Sequence, residues 1–244
     1  MKNHWDRDSV FNDSLNKIVD FTFDDKVAKV FEDMLHRSIP GYSTIIGNIG
    51  TLTKRYARPG SNLYDLGSSL GAGAIAMQNN LSVPNCTIFA IDNSISMIRR
   101  CRSFLKNTSD QNIHLICSDI NNIVIKNASI IILNFTLQFI PLDLRDNLIK
   151  NIYNGLLQGG ILILSEKITF EDEKRDERQI DRYYDFKRKN NYSELEISQK
   201  RDALENVLIP EHLEMHFSRL KSAGFINIDQ WFQLYNFVSV IAEK

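Results

Sequence analysis

The stretch that decides the fold is Leu63-Tyr64-Asp65-Leu66-Gly67-Ser68-Ser69-Leu70-Gly71-Ala72-Gly73. Its first half is typical of a buried strand, and the residues from Gly71 onward are typical of a helix. Glycines at such a strand–helix junction let a ligand approach the backbone, and the N–H groups that start a helix can solvate a polar or anionic ligand group. A tight turn without a ligand is the alternative interpretation of this peptide.

Strands and helices alternate from this point to the end of the chain. Strands are predicted at Asn62–Leu66, Thr87–Asp92, Ile113–Cys117, Ser129–Phe135 and Ile161–Ser165, with two closing strands at Phe225–Phe232 and Tyr235–Ala242. Helices are predicted at Gly71–Asn80, Ser94–Leu105, Leu142–Leu156 and Glu211–Ala223. The alternation favours an α/β fold with a mainly parallel, seven-stranded sheet and helices on both faces.

The length of 244 residues favours one domain, 1–244, because such a chain can bury one substantial core. Residues 22–57 precede the first strand and predict two helices, the first of them capped by Asp24-Asp25. Residues 171–207 are rich in charged side chains, contain neither Gly nor Pro, and predict a helical insertion. Both segments are expected to cover a ligand cleft.

Composition and charge favour a cytoplasmic protein that acts on a small molecule. With 29 basic and 30 acidic side chains the net charge is −1, so direct nucleic-acid binding is not expected. No apolar run approaches the roughly 18 residues of a membrane span, and the N-terminus has no apolar signal core. The cysteines form no Cys-x-x-Cys pair, and His212 and His216 have no evident third ligand, so no metal is expected.

The spacing within the loop points to one kind of ligand. Asp65 lies two residues before Gly67, and Gly71 lies four residues after it. This spacing differs from the dinucleotide-binding Gly-x-Gly-x-x-Gly and resembles the Asp-x-Gly-x-Gly-x-Gly loop of S-adenosylmethionine-dependent enzymes, with Ser69 at the middle glycine position. Together with the closing pair of strands, it predicts a Rossmann-like class I S-adenosylmethionine-dependent methyltransferase fold, in which Gly67, Ser68 and Ser69 contact the ligand.

Polar side chains follow the next strands at the points where each strand ends. Asp92, with its neighbour Asn93, has the separation from the loop that is expected of a carboxylate accepting hydrogen bonds from ribose hydroxyls. Asp119, with Ile120, occupies the place that receives the adenine amino group, and Asn134 falls near the sulfonium end. The structural alternatives are a helix cap at Asp92 and a plain turn at Asp119. Carboxyl ends of parallel strands are where such sheets bind ligands.

Several peptides outside the loop closely resemble the carboxy-S-adenosyl-L-methionine synthase family. They are Pro40–Ser43, Asn134–Phe139, Leu164–Lys167, Asp185–Arg188, Tyr192–Arg201 and Trp231–Gln233. The resemblance extends over nearly the whole chain from about Phe21 onward. The departures are the N-terminus and Ser68, which stands where the family is expected to have Cys; this exchange of one small side chain for another leaves ligand binding intact.

The resemblance implies an unusual reaction. Members of the family look like methyltransferases but convert their substrates S-adenosyl-L-methionine and prephenate into carboxy-S-adenosyl-L-methionine and phenylpyruvate. The product serves a partner enzyme, a tRNA carboxymethyltransferase that modifies hydroxyuridine at the wobble position. In the implied route, breakdown of prephenate supplies carbon dioxide and a base, and the deprotonated sulfonium methyl attacks the carbon dioxide. A homodimer is implied as well.

The resemblance also assigns roles that periodicity does not. Arg201 is implied to bind the new carboxylate, within its own subunit or across a dimer interface, and Tyr42 is implied to contact the ligand. From the pattern alone, Arg201 would be a solvated helix charge and Tyr42 a buried aromatic side chain. Lys187 and Arg188 are candidates for the two carboxylates of prephenate, although a charged helix face is favoured for both. Glu166-Lys167 offers a base at a strand end or, more simply, a local ion pair.

Two other functions fit the sequence less well. A conventional methyltransferase acting on a small molecule would use the same loop, release S-adenosylhomocysteine and need no prephenate. A catalytically silent partner of a tRNA-modifying enzyme would bind S-adenosylmethionine without turnover. The complete set of ligand residues, including Arg201, argues against the silent partner.

Overall fold

The computed structural model describes residues 6–14, 17, 19–106 and 112–244. The strands of these ranges are β1 Asn62–Leu66, β2 Thr87–Asp92, β3 Ile113–Cys117, β4 Ala128–Asn134, β5 Leu156–Thr169, β6 Glu211–His212, β7 Ile226–Leu234 and β8 Phe237–Glu243. The α-helices are α1 Asp25–Ser38, α2 Tyr42–Tyr56, α3 Ala72–Asn80, α4 Ile95–Leu105, α5 Leu142–Gly155, α6 Glu173–Lys189, α7 Glu194–Leu204 and α8 Leu213–Ala223.

The strands form one sheet in the order β3-β2-β1-β4-β5-β8-β7, and the two-residue β6 pairs with β5 beside this path. Strands β1 to β5 are mutually parallel, whereas β8 is antiparallel to both β5 and β7. The predicted α/β fold with a mainly parallel sheet and a closing antiparallel pair is therefore confirmed.

Helices cover both faces of the sheet, and strand β4 is therefore buried on both faces. Ile131 and Leu133 point into a core shared with α5 and α8. Ile130 and Ile132, which alternate with them, point into a second core shared with α2, α3 and α6. A third core joins α1 to α4 and α7. None of the helices in the described ranges is long and apolar enough to cross a membrane.

Two predicted boundaries are wrong. Strand β5 begins at Leu156, not at Ile161, because Gly159-Gly160 lies in a bulge within the strand and not in a turn before it. Gly159 has a φ of +69°, and the register against β4 shifts at this point. Helix α8 begins at Leu213, because Glu211 and His212 pair with the end of β5.

Segments 22–57 and 171–207 contain helices, as their patterns indicate. Asp24 caps α1 by accepting a hydrogen bond from the Val27 N–H at 2.9 Å. The insertion contains two helices, and the second begins at a capping box between Ser193 and Glu196. These caps satisfy backbone N–H groups at the starts of α1 and α7.

Candidate functional site

A cavity of about 1340 Å³ lies at the carboxyl ends of the parallel strands, beneath α1, α2, α6 and α7. Every residue predicted for the site lines this cavity: Tyr42, Gly67, Ser68, Ser69, Asp92, Asn93, Asp119, Ile120, Asn134 and Arg201. The structure therefore brings the predicted residues together, while their individual roles stay predictions.

Hydrogen bonds hold the loop after β1 against strand β2 and against the turn after β4. The N–H groups of Gly67 and Ser68 both donate to the Ile91 carbonyl, at 2.8 and 2.9 Å. Gly67 has a φ of +77°, and a Cβ built on it would lie 2.5 Å from Thr136 Oγ1. Thr136 in turn donates to the Leu66 carbonyl at 2.9 Å. A side chain at Gly67 would disturb both the loop and the turn after β4.

Asp65 connects strand β1 to the start of α3. Its Oδ2 atom accepts a hydrogen bond from the Ala74 N–H at 2.8 Å, in the first turn of α3. The carboxylate is almost completely buried, and this burial raises the pKa of Asp65 to about 7, against the opposing effect of the Ala74 hydrogen bond. The acidic residue of the motif thus stabilises the strand–helix junction.

Asp92 uses both carboxylate oxygens for the local backbone. Oδ2 accepts from the Ser69 N–H and Oδ1 from the Ser94 N–H, each at 2.8 Å. Burial raises the pKa of Asp92, and these two hydrogen bonds act in the opposite direction. Ser94 itself caps α4, and Asp92 supports this cap by accepting from the Ser94 N–H. Because each carboxylate oxygen can accept two hydrogen bonds, ligand hydroxyls can still be bound.

Asp119 is exposed and makes the turn that its structural alternative requires. Its Oδ1 atom accepts from the backbone N–H of Asn121 at 2.8 Å and from the side-chain amide of Asn121 at 2.9 Å. The buried side chain of Ile120 follows it at the cavity wall. Oδ2 accepts no hydrogen bond from the part of the chain that the structure describes, so it is available to a donor in the cavity.

Two buried polar atoms of the predicted site lack partners. Asn134 Oδ1 and Ser68 Oγ make no hydrogen bond within the described ranges, although both are shielded from solvent. Leaving a buried polar atom unsatisfied costs about 1–3 kcal/mol. A polar ligand in the cavity would remove this cost, so both atoms fit a bound S-adenosylmethionine.

Tyr42 and Arg201 lie in different surroundings. Tyr42 starts α2, is 7% exposed and packs edge-on against His36, and its burial raises its pKa. Arg201 lies at the rim of the cavity with its side chain 60% exposed, and Nε donates to Asp202 at 3.0 Å. This hydrogen bond raises the pKa of Arg201. The guanidinium is charged at any working pH and lies where an anion in the cavity can reach it.

Glu166 and Lys167 form no ion pair in the described ranges, so the simple interpretation of this dipeptide is wrong. Neighbours on a strand point to opposite faces of a sheet. Glu166 is buried outside the cavity lining and accepts from the N–H groups of Leu137 and Gln138, at 3.0 and 2.9 Å. Burial raises its pKa to about 8, against the lowering effect of Arg145 and these two donors. Lys167 lines the cavity instead.

The expected charged helix face of α6 is correct for Arg188 and wrong for Lys187. Arg188 is exposed and pairs with Asp185 and Glu194. Lys187 is 4% exposed and lines the cavity, because this side of α6 packs against the site. Lys200 of α7 also lines the cavity, a position that the sequence patterns do not predict. The neighbouring residues of α6 and α7 are highly charged, so the sequence carries no sign of this burial.

His212, which precedes α8, and His216, which lies in α8, make different contacts. His212 Nδ1 lies 2.9 Å from Thr169 Oγ1, and His216 is buried without a hydrogen-bond partner on either ring nitrogen in the described residues. Within the same ranges, no group of three or more His, Cys, Asp and Glu side chains has the geometry of a metal site.

Comparison with solved structures supports the fold. The chain superposes on human N-acetylserotonin methyltransferase with a TM-score of 0.60, 16% identity and coverage of 90% of this chain and 55% of the other. An O-methyltransferase family protein from Burkholderia thailandensis gives a TM-score of 0.65 at 12% identity, covering 91% of this chain and 60% of the other. At such identities the likeness shows the methyltransferase fold alone.

Sequence relatives are much more similar. Residues 63–160 match the model of a methyltransferase domain family. A carboxy-S-adenosyl-L-methionine synthase of Geobacter sp. (strain M21) is 52% identical over 239 residues, 97% of this chain and 98% of the relative. One of Shewanella frigidimarina (strain NCIMB 400) is 50% identical over 98% of both chains. Because these matches run almost from end to end, the chain is an enzyme that belongs to the carboxy-S-adenosyl-L-methionine synthase family.

Proposed function

We propose that this enzyme converts S-adenosyl-L-methionine and prephenate into carboxy-S-adenosyl-L-methionine and phenylpyruvate. The names of its relatives support the first product. The observation that carries the proposal is the convergence of a cofactor-type loop, unsatisfied polar atoms and basic side chains on one cavity.

The size of the cavity supports two ligands. A pocket for one small molecule has a volume of about 300–1000 Å³, whereas this cavity measures about 1340 Å³. S-adenosylmethionine would lie over the strand ends, with Asp92 receiving the ribose hydroxyls, Asp119 the adenine amino group, and Asn134 the sulfonium end. The remaining volume, toward α6 and α7, would hold the second substrate.

The reaction exchanges a proton for a carboxyl group on the sulfonium methyl. Prephenate loses its ring carboxylate as carbon dioxide and its ring hydroxyl as hydroxide, which leaves phenylpyruvate. The hydroxide removes one methyl proton and becomes water, and the methyl carbon forms its new bond with the carbon dioxide. S-adenosylmethionine supplies the acidified methyl group, because its positive sulfur stabilises the adjacent carbanion.

The chain contributes closure and charge to this step. Water would quench the carbanion, so the cavity must be closed. Side chains of α1, α2, α6 and α7 line it, which supports the proposal that segments 22–57 and 171–207 of one domain act as covers. The guanidinium of Arg201 can bind the new carboxylate through two nitrogens. Its exposed position at the rim is compatible with action on either subunit of a dimer.

We further propose a cytoplasmic homodimer whose product is passed to a separate tRNA carboxymethyltransferase. The net charge of −1 lacks the strong positive excess typical of nucleic-acid-binding proteins, which supports action of the product through a separate enzyme. Sedimentation of the purified enzyme tests the dimer, and a monomer at micromolar concentration would contradict it.

The activity is tested by incubating the purified enzyme with S-adenosylmethionine and prephenate and weighing the nucleoside products. A gain of one carbon dioxide, with carbon label transferred from the ring carboxylate of prephenate, is expected. Loss of the methyl group without need of prephenate would identify a conventional methyltransferase. Calorimetric binding of S-adenosylmethionine without any turnover would identify a silent binding partner.

A further inference from the structure

Three lysines from three different elements converge on one wall of the cavity. Lys167 comes from the end of β5, Lys187 from α6 and Lys200 from α7, and all three line the cavity. Lys187 is 4% and Lys200 5% exposed. Lysine side chains are rarely buried to this extent unless they are paired. We call these three side chains the lysine wall.

Only one of these ammonium groups has a carboxylate partner in the described ranges. Lys200 Nζ lies 3.7 Å from Asp8 Oδ2 and donates to Ser38 Oγ at 3.1 Å. Lys187 and Lys167 form no ion pair there. Instead, Lys187 Nζ lies 4.8 Å and Lys167 Nζ 5.3 Å from the centre of the Tyr183 ring. In the described ranges Asp8 is thus the one carboxylate at ion-pair distance from the three ammonium groups, while Asp176 acts on Lys167 and Glu196 on Lys200 from farther away. Buried charge without a close counterion is unfavourable.

Aromatic side chains lie next to the lysine wall. Tyr183, Phe135 and Phe237 all line the cavity. The Tyr183 and Phe237 ring centres are 5.0 Å apart, and those of Phe135 and Phe237 are 5.9 Å apart. The surface therefore combines uncompensated positive charge with flat apolar faces. Its chemistry matches a small ring compound that carries two carboxylates.

We propose that Lys167, Lys187 and Lys200 form the subsite for an organic dianion that binds beside S-adenosylmethionine. The identity of this dianion as prephenate rests on the proposed function, whereas the subsite itself rests on the positions of the lysines. Asp8 is then a positioning residue, because its buried carboxylate holds Lys200 in the wall without lining the cavity.

Binding at such a wall should be coupled to uptake of protons. Burial is the largest cause that lowers the pKa of Lys187, and the charges of Lys200, Lys167 and Arg201 lower it further, while Asp8 opposes them. The remaining titratable groups at its ammonium are the phenols of Tyr183 and Tyr184 on its own helix. A bound dianion favours the charged amine and raises its pKa again. At a pH between the pKa of Lys187 in the free enzyme and its pKa in the complex, binding is therefore expected to take up protons.

The test is calorimetric titration of prephenate into the enzyme saturated with S-adenosylhomocysteine, which prevents turnover. Titrations in two buffers of different ionisation enthalpy count the protons taken up. We expect K187M to raise the Kd for prephenate about ten- to hundredfold and to reduce the proton uptake. The Kd for S-adenosylmethionine should change by less than about twofold. K189M, at an exposed lysine on the same helix, is the matched control and should behave as wild type.

Two outcomes separate this inference from the proposed function. If wild type binds prephenate with proton uptake through Lys187 but forms no carboxylated product, the subsite is supported and the proposed reaction is refuted. Should wild type form that product while K187M and K167M bind prephenate with unchanged affinity, the subsite falls and the reaction stands. Equal weakening of both substrates in K187M, or no prephenate binding by wild type, would also overturn the subsite. K167M guards against misfolding of K187M, because Lys167 is less buried.

Discussion

The Asp8 carboxylate lies 3.7 Å from the Lys200 ammonium and joins the segment before the first helix to α7. The same carboxylate accepts a hydrogen bond from the Tyr192 hydroxyl, and the Asp8 N–H donates to Asp33 at 2.7 Å. Asp8 and Lys200 are both almost completely buried. The N-terminal segment is thus fastened to α1 and to the helical insertion at once.

The first prediction concerns this pair. D8N should lower the free energy of unfolding by about 3 kcal/mol, because it leaves the Lys200 charge buried without its partner. Removing both charges in D8N/K200M should cost less than D8N alone. D6N is the matched control, since Asp6 and Lys29 are also 3.7 Å apart but lie in solvent. Urea unfolding measures all three, and equal effects of D8N and D6N would contradict the assignment.

The second prediction compares two glycines of similar backbone conformation. Gly60 and Gly67 have φ values of +71° and +77°, but a Cβ at Gly60 would meet nothing within 4 Å. G60A should therefore cost only the strain of the left-handed region, about 1–2 kcal/mol. G67A should cost more and should also abolish the stabilisation by S-adenosylmethionine in thermal melts. Similar melting temperatures of the two variants would show that the contact with Thr136 is unimportant.

The third prediction concerns Asp92 as the acceptor for ribose. D92N should weaken S-adenosylmethionine binding about ten- to hundredfold, because an amide replaces one acceptor oxygen with a donor and removes the charge. D143N, at an exposed position in the first turn of α5, should leave the affinity unchanged. Calorimetry measures both, and a D92N affinity within twofold of wild type would leave Asp92 with only its structural hydrogen bonds to Ser69 and Ser94.

The fourth prediction concerns Arg201 as the carboxylate ligand. R201A should weaken carboxy-S-adenosylmethionine far more than S-adenosylmethionine, because a charged hydrogen bond contributes about 1.5–3 kcal/mol. R188A removes a neighbouring exposed arginine that is occupied by Asp185 and Glu194, so it should affect neither ligand. Competition binding compares the two ligands. Equal weakening of both by R201A would exclude a specific contact with the added carboxylate.

The fifth prediction is a pH dependence of stability at His216. Burial is the main cause that lowers the pKa of His216 to about 4. The charge of Glu211 raises this pKa, whereas the charges of Arg219 and Arg145 lower it further. The unfolded chain binds a proton near pH 6.5, where the folded chain does not, so stability falls as the pH drops through this window. Between pH 7 and pH 5 His216 should account for about 2 kcal/mol. Denaturation of H216L and wild type at both values tests this, and identical losses would refute it.

Much of the site follows from local sequence patterns. Asp92 and Asn134 end parallel strands and Asp119 follows the end of another. The ends of such strands share one edge of the sheet, so the convergence of these residues can be predicted without knowledge of packing. The burial of Lys187 and Lys200 cannot, because it depends on how α6 and α7 dock on the sheet. Gly159-Gly160 misleads for a related reason: the same dipeptide suits a turn or a bulge, and only pairing with β4 distinguishes them.

The position of β8 has a consequence for synthesis on the ribosome. This strand follows both of its neighbours along the chain but lies between them in the sheet, with β5 on one side and β7 on the other. Until it has left the exit tunnel, both neighbours expose unpaired backbone groups, and such open edges recruit other chains. A nascent chain cut short before Phe237 would therefore be prone to aggregation, even though every residue predicted to bind S-adenosylmethionine had already been made.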